Sequence, residues 1–155
     1  MNAVGRVRGR AAEPYRRTLI ALNNGTMSPI EIIQAVVRVL LAVAFVGMGI
    51  THFLPRSRQT MAHMIPPRLR FGGWARPAVL VAFTGVCEIA GGLGLLWEPT
   101  RLAAGVCLAI FLVAVFPANA YAARHPDRFG ALAIPLVPRL LGQLALIALC
   151  ILAAI

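Results

Sequence analysis

Four stretches of about twenty predominantly apolar residues, separated by short segments rich in arginine, proline and glycine, limit what this chain can fold into. At about 1.5 Å of rise per residue, each is long enough to cross the hydrocarbon core of a bilayer as a helix. Backbone amides in hydrocarbon must find partners within their own segment, so the stretches are read as helices. Their boundaries fall at residues 32–53, 77–97, 102–123 and 138–155. The predicted fold is all-α, an integral membrane four-helix bundle, and the even number of crossings puts both termini on the same side. Composition supports this reading, because 59% of the 155 residues are hydrophobic and only 13% are charged. A soluble enzyme of this size would be far more polar, and a disordered chain far less apolar.

The charge that is present is one-sided, with 15 basic residues against 5 acidic ones and a formal net charge of +10. Every basic residue is arginine, placed in the N-terminal tail, in the loops and at the ends of apolar runs. That placement differs from the basic face of a nucleic-acid binder and suits a bilayer with anionic headgroups. Residues 1–29 read as a basic, disordered tail without the apolar core of a signal peptide, and residues 30–155 as the transmembrane domain. Met27 opens a second plausible beginning, so the first 26 residues are expected to be an optional extension. Cys87, Cys107 and Cys150 each lie inside an apolar run and read as small hydrophobic residues, with no CxxC pair.

The two longer connections, Leu54 to Arg76 and Arg124 to Val137, lie on one membrane face, and Glu98 to Arg101 forms a tight turn on the other. The first long loop carries Ile65-Pro66-Pro67, which cannot continue a helix, and then Gly72-Gly73-Trp74, which suits a segment lying along the interface. Arginines near the membrane are more numerous on the long-loop face, which the positive-inside rule makes cytoplasmic.

A few residues do not belong in hydrocarbon. Glu88 is the only charge in the second run, and a charge at mid-bilayer costs about 2.5–3.5 kcal/mol on insertion scales. Thr84, Gly85, Gly91 and Gly92 lie within two turns of it, so Glu88 is expected to face the bundle interior against a closely approaching helix. Counting rise from the long-loop face places Arg38 about 24 Å deep and Glu88 about 16 Å, a gap that an arginine side chain spans in large part. Arg38 either pairs with Glu88 or snorkels to the opposite interface. His52, Asn119 and Gln143 fall at one depth near the long-loop face, with His63 above them. They form either the mouth of a pocket leading down to Glu88 or an ordinary interfacial ring. Pro117 frees a carbonyl one turn earlier, marking a kink beside a cavity or a purely architectural one. No metalloprotease, nucleophile-elbow or phosphate-loop motif is present, the glycines at 91, 92 and 94 sit inside a membrane helix, and two histidines without a third ligand predict no metal site.

The blocks Gly49-Ile50-Thr51-His52-Phe53, Ile65-Pro66-Pro67, Gly85 to Leu96 and Phe116-Pro117-Ala118-Asn119 together resemble the DoxX-like family of small bacterial four-helix membrane proteins, over roughly residues 30–155. The resemblance implies the fold and a multi-pass location in the bacterial cytoplasmic (inner) membrane. It marks His52, Glu88, Pro117 and Asn119 as the positions matching the family's own. It also implies an association with quinone or thiol redox systems, with a soluble or membrane redox partner. The ligand-pocket candidates are thus Glu88, His52, Asn119, Gln143, Thr84 and Arg38. Three readings follow: an auxiliary, non-catalytic binder of a small amphipathic molecule such as a quinone, a membrane subunit of a quinone-linked oxidoreductase, or a proton or small-molecule transporter. Transport by four helices without an internal repeat would require a homo-oligomer.

Overall fold

The computed structural model describes residues 28–155. The chain divides into two units, residues 1–33 and 34–155. The expectation about the N-terminal tail therefore falls almost wholly outside the described residues. At residue 28 the first unit shows a reciprocal cap: the Glu31 amide donates to Ser28 Oγ at 3.2 Å, and the Ser28 amide donates to Glu31 Oε2 at 2.6 Å. This box closes two of the free donors at the start of the first helix.

Four long helices follow the apolar stretches: α1 (Pro29–Thr51), α3 (Pro77–Gly94), α4 (Glu98–Ala123) and α5 (Leu136–Ala154), with a ten-residue helix α2 (Pro55–Met64) between the first two. Among the described residues there is no strand. The four long helices are each long and apolar enough to cross a membrane. The protein is an all-α four-helix bundle.

Beyond shifts of two or three residues at other helix ends, two features differ from the sequence reading. The turn between the second and third long helices lies at Leu95–Trp97, so Glu98 to Arg101 is the first turn of α4. Pro99 suits a helix start, Glu98 complements the positive end of the helix dipole, and Thr100 Oγ1 donates to the carbonyls of Gly94 (2.9 Å) and Trp97 (3.1 Å). The second difference is α2, which lies in what reads as a loop. Its sequence is polar and carries no apolar stripe, but Pro55 starts it and Arg, Gln, Met and Ala favour helix. Ile65 ends it in an extended conformation, as a residue preceding proline must. Arg70 then ties the following bend down, donating to the carbonyls of Ile65 at 2.8 Å and His63 at 2.9 Å.

The core is a seam of small and branched residues. Leu41, Phe45, Leu95, Leu108, Leu112 and Cys150 are buried together, with Ala104 and Ala153 filling the narrow points. By contrast, Val39, Leu40, Val43, Phe83, Val86, Ile110 and Leu141 are exposed on the outer helix faces. An apolar exterior of this extent suits contact with hydrocarbon. The first helix begins at the end of the bundle where the last one finishes, and there Gln34 Nε2 donates to Leu152 O at 3.5 Å and Arg38 Nε to Ala153 O at 2.7 Å.

Candidate functional site

The buried face of α3 is the stripe Val81, Gly85, Glu88 and Gly92, which returns every three to four residues as one side of a helix does. Opposite it, α1 buries Leu41, Ala42, Phe45 and Gly49. The two backbones meet where both helices lack a side chain. A Cβ on Gly49 would lie 2.7 Å from Gly85 O, and one on Gly85 would lie 2.7 Å from His52 Cβ, so any larger residue at Gly85 displaces the imidazole. Gly92 faces Ala42 O in the same antiparallel register.

This register brings His52 beside Glu88. His52 Nε2 lies 3.2 Å from Glu88 Oε2, and both residues are buried, at 8% and 7% exposure. On the other edge of the ring, Nδ1 lies 2.9 Å from Val81 O and 3.0 Å from Thr84 Oγ1. Thr84 Oγ1 in turn donates to Val81 O at 2.8 Å. Three of the sequence-derived candidates, His52, Thr84 and Glu88, thus form one cluster across the α1–α3 seam. Glu88 Oε2 is enclosed by protein and has no hydrogen-bond partner among the described residues beyond this charge contact with the imidazole.

Arg38 is not the partner of Glu88. Measured from the Gly49–Gly85 crossing, Arg38 lies about 16 Å along α1 and Glu88 only about 5 Å along α3. Arg38 therefore passes Glu88 and ends on Ala153 O, at the C-terminus of α5, where a cation complements the negative end of the helix dipole. The end of α1 and the start of α3 are not level, although counting rise from the loop assumes that they are. The glycine contacts set that register instead.

Asn119 and Gln143 form a second cluster, between α4 and α5. Gln143 Nε2 donates to Leu112 O at 2.7 Å, in the turn where Pro117 leaves the Val113 carbonyl without its usual helical donor. Asn119 Nδ2 donates to Gln143 Oε1 at 3.5 Å, and Arg139 Nη1 donates to Asn119 Oδ1 at 2.7 Å. Arg139 Nη2 also donates to Leu132 O. The sequence did not single out Arg139; its signal was an arginine one turn before a buried glutamine. His63 belongs to neither cluster. It lines an open cavity of about 210 Å³ with Thr60, Arg128 and Phe129, between α2 and the one-turn helix Pro126–Phe129. The expected single ring of polar groups is therefore three separate places.

Among the described residues no three His, Cys, Asp or Glu side chains converge to hold a metal ion. The α1–α3 cluster offers an acid, an imidazole and a hydroxyl in an apolar surround, groups able to exchange hydrogen bonds and one or two protons with a small polar head.

The fold and this site together define a class: a helical bundle with membrane-length helices and a buried histidine–glutamate pair on the seam between the first and second long helices. The family model described as Domain of unknown function (DUF8561) matches residues 41–154, and the chain belongs to that family. No curated protein and no solved structure matches it. The matched range contains every residue of the two polar clusters.

Proposed function

We propose that the protein is a multi-pass protein of the bacterial cytoplasmic membrane that acts as an auxiliary, non-catalytic binder of a small amphipathic molecule such as a quinone, serving a redox-linked membrane system. The observation that carries this reading is the 3.2 Å His52–Glu88 contact, buried in a largely apolar seam, with the Glu88 oxygen lacking any other partner among the described residues. Ionisable groups at such depth are costly, and they are retained chiefly where they do work. The sequence resemblance to DoxX-like proteins points the same way, and the use of arginine without lysine fits a GC-rich bacterial genome. The arginines flanking the helices suit anionic headgroups. A redox partner would supply and remove electrons, since the chain has no CxxC pair and no motif for a redox cofactor.

The test is retention of quinone through detergent purification, measured by extraction and mass spectrometry. Glu88→Gln and His52→Ala are each expected to lose most of the quinone that the unaltered protein retains, at least tenfold, while Glu88→Gln keeps its helical circular dichroism. Unchanged retention in both variants, or no quinone in the unaltered protein, overturns the reading.

A further inference from the structure

We infer that His52 and Glu88 form a single proton-binding unit that carries one proton, on one group or the other, and is net neutral. The inference stands on hydrogen-bond direction and is independent of which amphipathic molecule the protein binds. A carbonyl oxygen can only accept, so Val81 O, 2.9 Å from Nδ1, offers that nitrogen nothing but lone pairs. Thr84 Oγ1 lies 3.0 Å from Nδ1, but its own hydrogen is directed to Val81 O at 2.8 Å, so the hydroxyl also turns a lone pair towards the ring. Nδ1 therefore carries a hydrogen, an assignment made from the network around it.

With the hydrogen on Nδ1, Nε2 of a neutral ring is an acceptor, and it faces Glu88 Oε2 at 3.2 Å. Oε2 is sealed from solvent and has no hydrogen-bond partner among the described residues, so it meets the imidazole as a close charge contact. Two acceptors facing one another in an apolar seam would each forgo a hydrogen bond and repel. One proton, carried by either group, removes the conflict. On nitrogen it makes an imidazolium beside a carboxylate, and on oxygen an imidazole beside a carboxylic acid. Both forms sum to zero charge, which is what a low-dielectric surround favours.

No further charge compensates a different count. The other ionisable side chains nearby in the chain are Arg38 and Cys87 on the same two helices, Arg56, Arg58 and His63 on the adjoining α2, and Glu98, Arg101, Cys107 and Tyr121 on α4; among the described residues none is ion-paired with His52 or Glu88. Losing the proton would leave the unit at −1, and gaining another would leave it at +1. The neutral count of one proton is therefore the one this surround favours.

Nitrogen-15 spectra of histidine-labelled protein in nanodiscs, with His52 isolated by His63→Asn and His125→Asn, read the state of both ring nitrogens. Infrared spectra of glutamate-labelled protein carrying Glu13→Gln, Glu31→Gln and Glu98→Gln read Glu88 in the same conditions without substituting it. The expected result near neutral pH is a protonated Nδ1 together with one of two combinations: protonated Nε2 with ionised Glu88, or bare Nε2 with a carboxylic acid band. A bare Nδ1, a neutral ring beside an ionised Glu88, or a charged ring beside a protonated Glu88 overturns the inference. Loss of quinone retention with the one-proton signature intact would count against the proposed ligand alone.

Discussion

The α1–α3 and α4–α5 seams both bury polar side chains in an apolar bundle, yet they solve the problem in different ways. In the α4–α5 seam, Gln143 and Arg139 end on the carbonyls of Leu112 and Leu132, with Asn119 joining them. Such a network ties the polar side chains to backbone carbonyls and to one another, so each amide finds a fixed partner. In the α1–α3 seam, Nδ1 of His52 is anchored but its other nitrogen meets only a carboxylate oxygen that has no further partner among the described residues. The difference separates polar groups that complete the backbone from polar groups that satisfy only each other. The second kind can change state without breaking a helix.

That contrast can be broken experimentally, and the largest effect is expected at the ion-pairing seam. His52→Leu leaves the Glu88 carboxyl buried without its base, and removing one partner of a buried pair costs about 3–5 kcal/mol, read as loss of folded protein in detergent stability assays. Gly85→Ala comes next. Its new Cβ would lie 2.7 Å from His52 Cβ and 2.9 Å from Gly49 O, so the helices must part, at about 1–3 kcal/mol of overpacking. Gln143→Leu removes the donor to Leu112 O and an acceptor of Asn119, at about 1–3 kcal/mol, and leaves quinone retention unchanged. If Gln143→Leu instead abolished retention, the functional separation of the seams would be lost.

The smallest change is Glu88→Gln. Its amide can donate an N–H to Nε2 of neutral His52, so stability should shift by less than about 1 kcal/mol, within the range of a substitution that strands no buried group. A double-mutant cycle sharpens the comparison. His52→Leu and Gln143→Leu are expected to add within about 0.5 kcal/mol, whereas His52→Leu and Glu88→Gln are expected to couple strongly, because neutralising the acid relieves the charge that the leucine strands.

Much of the bundle was legible in the sequence. Length and apolarity alone yield four long helices, and Pro77 correctly marks the start of α3. Helix α2 escaped because a polar segment carries no periodic apolar signal, even though its proline start and the Pro66-Pro67 stop were visible. Of the candidate residues, Glu88 and Thr84 sit four apart on one helix, a spacing that already places them on one face. Their companion His52 comes from the end of another helix, and only the register set by the glycine contact brings it beside Glu88.

What the amino-acid sequence determined by itself is therefore local: which segments are helical, which residues are too polar for hydrocarbon, and which glycines permit close approach. These follow from composition and helical period, and no partner is needed to read them. Only the tertiary structure decided which polar residues meet. The Gly49–Gly85 contact slides α1 along α3 until His52, and not Arg38, stands against Glu88, because two helices settle where their backbones pack closest and their side chains pair at whatever register results.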